Sequence, residues 1–173
     1  GWLQSGGMDL GWFITQVGAP AAGCIMEEVI AMGARDCVYF GRCGVLQRDI
    51  AEGHFVVPTS AGRDEGTSYH YLPGADEIEL DRACVRAVVD ALESIGFPYM
   101  AAKTWPTDAI YRETRVKMRD RKKQGCAVVE MECAALAAVV QFRGVGFAPF
   151  LLSDDNLDAV SFTHLRAHEP GSN

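Results

Sequence analysis

Residues 127–152, AVVEMECAALAAVVQFRGVGFAPFLL, decide the fold. Ala127–Met131 is a short apolar run that gives way to an alanine-rich stretch, Glu132–Arg143, which Gly144 ends. Gly146–Leu152 is apolar again, so the order is strand, helix, strand, part of an alternation that implies a largely parallel sheet. Upstream, Gly11–Val17 reads as a buried strand stopped by Gly18-Ala19-Pro20, with Pro20 suited to the first turn of a helix over Ala21–Met32. A strand over Cys37–Phe40 runs into a Gly-bounded loop, Gly41-Arg42-Cys43-Gly44. Further on come a strand over Gly53–Thr59, a polar loop over Ser60–Pro73, a helix over Asp76–Ile95, a strand over Tyr99–Trp105 and a helix over Ala109–Gln124. This alternation predicts a three-layer α/β/α domain with a mixed, largely parallel central sheet over residues 1–160. Residues 161–173 lose apolar periodicity and are expected to form an irregular tail.

The 173 residues carry 16 Lys and Arg against 23 Asp and Glu, a formal charge of −7, and 49% are hydrophobic. That composition fits one globular domain and excludes collagen, coiled coil and intrinsic disorder. No apolar run approaches the roughly 18 residues needed to span a bilayer, and no basic stretch leads into an apolar one as in a secretory signal. The six cysteines lack C-x-x-C or zinc spacing, which points to reduced thiols and a cytoplasmic protein. Arg112–Lys123 gathers seven basic residues, but the acidic whole and the lack of aromatic platforms favour a solvated helix face over nucleic-acid binding.

In a parallel α/β sheet the ligand sites lie where strands lead into helices. Glu130-Met131-Glu132 occupies such a junction, and burying a carboxylate there demands partners. Two uses are open from spacing alone: holding a cis-diol such as the ribose hydroxyls, or capping the helix that follows. Ser153-Asp154-Asp155-Asn156 follows the last strand and forms either an Asx-type turn or cap, or, through Asp154, a general acid facing a ligand. Gly41-Arg42-Cys43-Gly44 offers backbone N–H groups and one guanidinium to a phosphate. Cys43 has no histidine nearby in sequence to activate it, which favours a buried thiol. His164 and His168 are four apart, yet lack a third ligand, so no metal site and no cofactor is expected.

Taken together, VVEMECAALAAVVQFRGV from Val128, GAPAAGCIMEEVIAMGA from Gly18, FGRCGVL from Phe40, RDEGTSYHYLP from Arg63, TDAIYRET from Thr107 and LLSDDN from Leu151 resemble the nucleoside phosphorylase family, which includes uridine phosphorylase and the hexameric bacterial purine nucleoside phosphorylases. The resemblance implies phosphorolysis of a purine or uridine-type nucleoside, inorganic phosphate being the co-substrate and free base and ribose or deoxyribose 1-phosphate the products. It implies that Glu132 holds the ribose hydroxyls, Met131 packs on the sugar, Glu130 supports the pocket, and Asp154 protonates a purine base. Tyr111, Ile110 and Ser153 would line the base and sugar pocket, and Gly41 and Arg42 would meet phosphate. It further implies a dimer or hexamer, and an N-terminal strand–helix unit ahead of the matched region. Tyr39 and Arg42 stand where the family often has Arg and Ser or Thr. Two alternatives accompany this reading: hydrolysis, with water replacing phosphate, and a non-catalytic nucleoside-binding domain.

Overall fold

Ser5-Gly6-Gly7-Met8 is the first structural decision the chain makes, because φ is +59° at Gly6 and +79° at Gly7. Two adjacent positive-φ glycines form the two-residue turn that matches strand twist, and they fold β1 (Trp2–Ser5) back on β2 (Met8–Gly11) as an antiparallel hairpin. The computed structural model describes residues 1–47, 50 and 53–156. In it the buried strand expected over Gly11–Val17 is replaced by this exposed hairpin, with residues 12–17 in no regular element. The run has the right residue types for a strand, but among the described residues only its start, Gly11 and Trp12, finds a neighbour, in Trp2 and Gly1, and residues 13–17 pair with no strand.

The central sheet is mixed and has the order β5-β4-β6-β7-β3-β8. Its strands are β3 (Asp36–Val45), β4 (Phe55–Gly62), β5 (Glu77–Glu79), β6 (Tyr99–Pro106), β7 (Cys126–Glu130) and β8 (Gly146–Asn156). The longest ladders, β3 with β8, β4 with β6 and β6 with β7, are parallel; β5 pairs antiparallel at the edge of β4. β8 also meets β4 through Phe55 with Leu152 and Val56 with Leu151, closing β4, β6, β7, β3 and β8 into a ring. The helices are α1 (Ala19–Ala31), α2 (Arg82–Ser94), α3 (Arg115–Lys123) and α4 (Cys133–Arg143). None of these is long and apolar enough to cross a membrane.

Several expected boundaries move for local reasons. The helix expected from Asp76 begins only at Arg82, because the Asp81 carboxylate accepts the N–H groups of Ala83 and Cys84 and fixes the N-terminus there; Glu77–Glu79 is an edge strand instead. Thr114 caps α3 in the same way, so Ile110–Arg112 is a separate 3-10 turn. The loop expected at Gly41–Gly44 is strand: β3 continues to Val45 because β8 extends beside it past Leu152. For the same reason the Asx-type turn or cap expected over residues 153–156 is strand. The tail expected over 161–173, with His164 and His168, lies outside the described residues.

Alternating residues of the strands feed different clusters, as the pleat requires. Val56 and Val128 pack with Cys43, Val45 and Leu151, whereas Val57 meets Val89 and Leu92 of α2, and Val129 meets Trp105 and Met118. α4 is buried from Cys133 to Val140 and packs on α1, where Gly23 lets Val139 and Thr67 approach. The basic stretch of α3 is partly neutralised: Arg121 pairs with Asp64 at 2.8 Å and Lys123 with Asp120 at 3.7 Å. Because Leu136 is 2% exposed in the α4 cluster, Leu136→Ala is expected to cost about 2–5 kcal/mol, read as a lowered denaturation midpoint. A change below about 0.5 kcal/mol would contradict this packing.

Candidate functional site

β7 is buried along its whole length and delivers Glu130 to the N-terminus of α4. One Glu130 oxygen accepts the N–H groups of Glu132 and Cys133, each at 2.7 Å, and the other accepts the Thr104 hydroxyl from β6 at 3.0 Å. Glu130 is thus the helix cap. Burial raises its carboxyl to about 7, with the neighbouring Glu132 charge adding to the rise; the two N–H donors and Thr104 oppose it. The Glu130 carbonyl also accepts the Thr107 N–H at 2.8 Å, which ties the loop after β6 to the same strand end.

Glu132 begins α4 without capping it, so its side chain is available to other elements. Its carboxylate accepts the Gly18 N–H at 2.6 Å, the Tyr39 hydroxyl at 3.1 Å and the Met131 N–H at 3.3 Å. Gly18 stands at φ +100°, ψ 147°, a conformation that side chains rarely adopt, and this turns its N–H toward Glu132 as the chain enters α1. Tyr39 arrives from β3 and packs against Phe147, with ring centroids 6.4 Å apart. Burial first, then the Glu132 and Glu130 charges, push its phenol far above the usual range, so it is a fixed donor. The entrance to α1, the middle of β3 and the β7–α4 junction therefore meet on one carboxylate.

The other expected site residues fall in three places. Arg42 and Asp154, on neighbouring strands β3 and β8, form an ion pair that solvent reaches, the Arg42 side chain being 69% and Asp154 38% exposed. Gly41 lies within the β3 ladder beside Leu151. Ser153 is buried, and its hydroxyl accepts the His54 N–H at 2.9 Å, which fastens β8 to the start of β4. Ile110 and Tyr111 sit on the 3-10 turn after β6, 50% and 79% exposed. The Cys43 thiol donates to the Leu152 carbonyl, and burial pushes it up to about 12, a buried thiol with no nucleophilic character.

Sequence reasoning missed Gly18, Tyr39 and Thr104 as partners of the two glutamates. It also passed over Glu113, a buried carboxyl just ahead of α3 that burial alone raises to about 7. Among the described residues no three His, Cys, Asp or Glu side chains are grouped to hold a metal ion.

The profile of the Phosphorylase superfamily matches residues 2–169. A guanosine phosphorylase of Halorubrum lacusprofundi is 29% identical over 88% of this chain and 64% of its own. A uridine phosphorylase of Salmonella typhimurium is 28% identical over 76% of this chain and 57% of its own. Among solved structures, an AMP nucleosidase from Bacteroides thetaiotaomicron superposes with a TM-score of 0.74 at 25% identity, covering 82% of this chain and 60% of that one. The chain spans about three fifths of the length of these relatives.

The raised Glu113 carboxyl has a pH signature. It keeps its proton up to about pH 7 when folded, whereas an unfolded glutamate releases it near 4.3. The folded state binds the extra proton between these values, so stability falls as pH rises through that window. Against wild type, Glu113→Gln is expected to gain of the order of 3 kcal/mol between pH 4.5 and pH 8. Melting curves at the two pH values measure this; a pH-independent difference would refute the burial of this carboxyl.

Proposed function

Because the chain belongs to the phosphorylase superfamily, we propose that it cleaves the N-glycosidic bond of a purine or uridine-type nucleoside with inorganic phosphate. Phosphate oxygen forms a bond to C1′ as the C1′–N bond breaks, the bonding pair leaves with the base, and the pentose departs as its 1-phosphate. The observation that carries this reading is the Glu132 carboxylate, held at the buried end of β7 by backbone and phenol donors. A carboxylate has about four acceptor positions, so one is left for a sugar hydroxyl beside the developing positive charge of the sugar ring. Placed this way, its charge favours the transition state over the ground state.

The remaining roles are the ones that the resemblance to the family suggests. Met131 lies between the two glutamates and packs on the sugar, while Glu130 keeps α4 and Thr104 in register beneath it. Arg42, which solvent reaches, exchanges its Asp154 partner for phosphate; the Asp154 carboxylate, released from the guanidinium, takes up a proton from solvent and passes it to the leaving base. Ile110 and Tyr111 lie on the turn tied to Glu130 through Thr107 and cover the base. The relatives are guanosine and uridine phosphorylases, which supports a nucleoside substrate and leaves both base classes in view.

A second reading is hydrolysis, with water in place of phosphate. It is favoured by the engagement of Arg42 with Asp154 and by the likeness to an AMP nucleosidase. Base release from inosine and from uridine, each with and without inorganic phosphate, separates the two. Phosphate-dependent release with a pentose 1-phosphate product is the expected result; equal release without phosphate would assign the protein to hydrolysis, and none from either nucleoside would reject glycosidic cleavage. Glu132→Gln is expected to lower kcat/KM by at least a hundredfold, about 2.7 kcal/mol of transition-state stabilisation. Near-normal turnover in that variant would remove Glu132 from the sugar site.

A further inference from the structure

The donors on Glu132 leave less room for a sugar than a free carboxylate would. Gly18 N–H holds one oxygen, while Tyr39 hydroxyl and Met131 N–H share the other. Of about four acceptor positions three are taken. A ribose cis-diol brings two donors, a 2′-deoxyribose only one on that side of the ring. Two of the three occupants are backbone groups fixed by the entrance to α1 and the start of α4, so Tyr39 is the one side chain among them.

The strand geometry shows why Tyr39 reaches this carboxylate. Tyr39 and Gly41 project from the same face of β3, being two residues apart. A Cβ at Gly41 would lie 2.7 Å from the Tyr39 hydroxyl oxygen and 2.9 Å from the ring carbon bearing it, closer than real contacts allow. Glycine at 41 therefore opens the path by which the ring crosses to Glu132. Gly41 is not among the positive-φ glycines, so close approach and not backbone conformation is what requires it.

Resting on the reading of Glu132 as the sugar acceptor, we propose that Tyr39 is a specificity-determining residue that fills one acceptor position of Glu132 and makes 2′-deoxyribonucleosides as good ligands and substrates as ribonucleosides. The second ribose hydroxyl gains little in this site. It must either displace the phenol or donate to the phenol oxygen, and a neutral oxygen is about half as strong an acceptor as a carboxylate. Removing the phenol hydroxyl returns that position to the sugar, and discrimination in favour of ribose appears.

The test is calorimetric binding of inosine and 2′-deoxyinosine, and of uridine and 2′-deoxyuridine, to the wild-type protein and to Tyr39→Phe, with kcat/KM ratios for the same pairs. Wild type is expected to hold both sugars within about threefold, and Tyr39→Phe to favour ribose by about five- to tenfold, the worth of one hydrogen bond. Gly41→Ala, which pushes the same ring off Glu132 without deleting its hydroxyl, shifts the ratio in the same direction. A ratio unmoved in both variants, or a wild type that already favours ribose tenfold, overturns the role of Tyr39 and leaves glycosidic cleavage standing. Binding of both sugars with no base release refutes cleavage, while the Kd ratios still decide the role of Tyr39. No binding of any nucleoside by any of the three proteins overturns both.

Discussion

Three parts of the chain far apart in sequence depend on one carboxylate. Glu132 accepts from Gly18 across 114 residues and from Tyr39 across 93, at 2.6 and 3.1 Å. These bonds fix the angle at which α1 leaves its loop and the depth at which β3 lies beside the β7–α4 junction. Such an arrangement needs Glu132 to be free of the capping duty its position would normally impose. Glu130 takes that duty, two residues earlier, by accepting the first N–H groups of α4. The two glutamates thus divide the work: one satisfies the helix, and the other faces the surrounding strands and loop.

The division has an electrostatic consequence. Burying two carboxylates close together is costly unless donors surround them or one keeps its proton. Glu132 is met by three donors, and burial raises Glu130 to about 7. The helix N-terminus and the Thr104 hydroxyl hold that rise in check. The closed arrangement of β4, β6, β7, β3 and β8 supplies the rigid frame, because each of these strands is paired on both sides along part of its length.

Much of this was readable in the sequence where the local signal and the tertiary context agree. The β7–α4 segment has an apolar strand, an acidic junction and an alanine-rich helix, and its expected boundaries are within one residue of those observed. The Gly11–Val17 run failed because β propensity describes a half-buried surface, and beyond Trp12 these residues pair with no strand among the described residues. The Gly41–Gly44 stretch reads as a loop by composition, yet it is strand, because its glycine at 41 is needed for a ring and not for a turn. For the site, the capping use left open for Glu130-Met131-Glu132 falls to Glu130, and Glu132 makes no cap bond, a division that spacing alone leaves undecided. Tyr39 and Gly18 carry no local mark of their role. Only the crossing of β3 beside the junction, and of the loop before α1 over it, brings them to Glu132.

The central claim is that the Glu132 carboxylate, in its cage of donors, is where the sugar binds. Titrating inosine into uniformly 15N-labelled protein and following the amide resonances of Gly18 and Met131 tests it most directly, since both N–H groups donate to that carboxylate. The account predicts that these two signals shift together and saturably, among the largest changes in the spectrum. Saturable shifts elsewhere with Gly18 and Met131 unmoved would place the nucleoside away from Glu132 and contradict it.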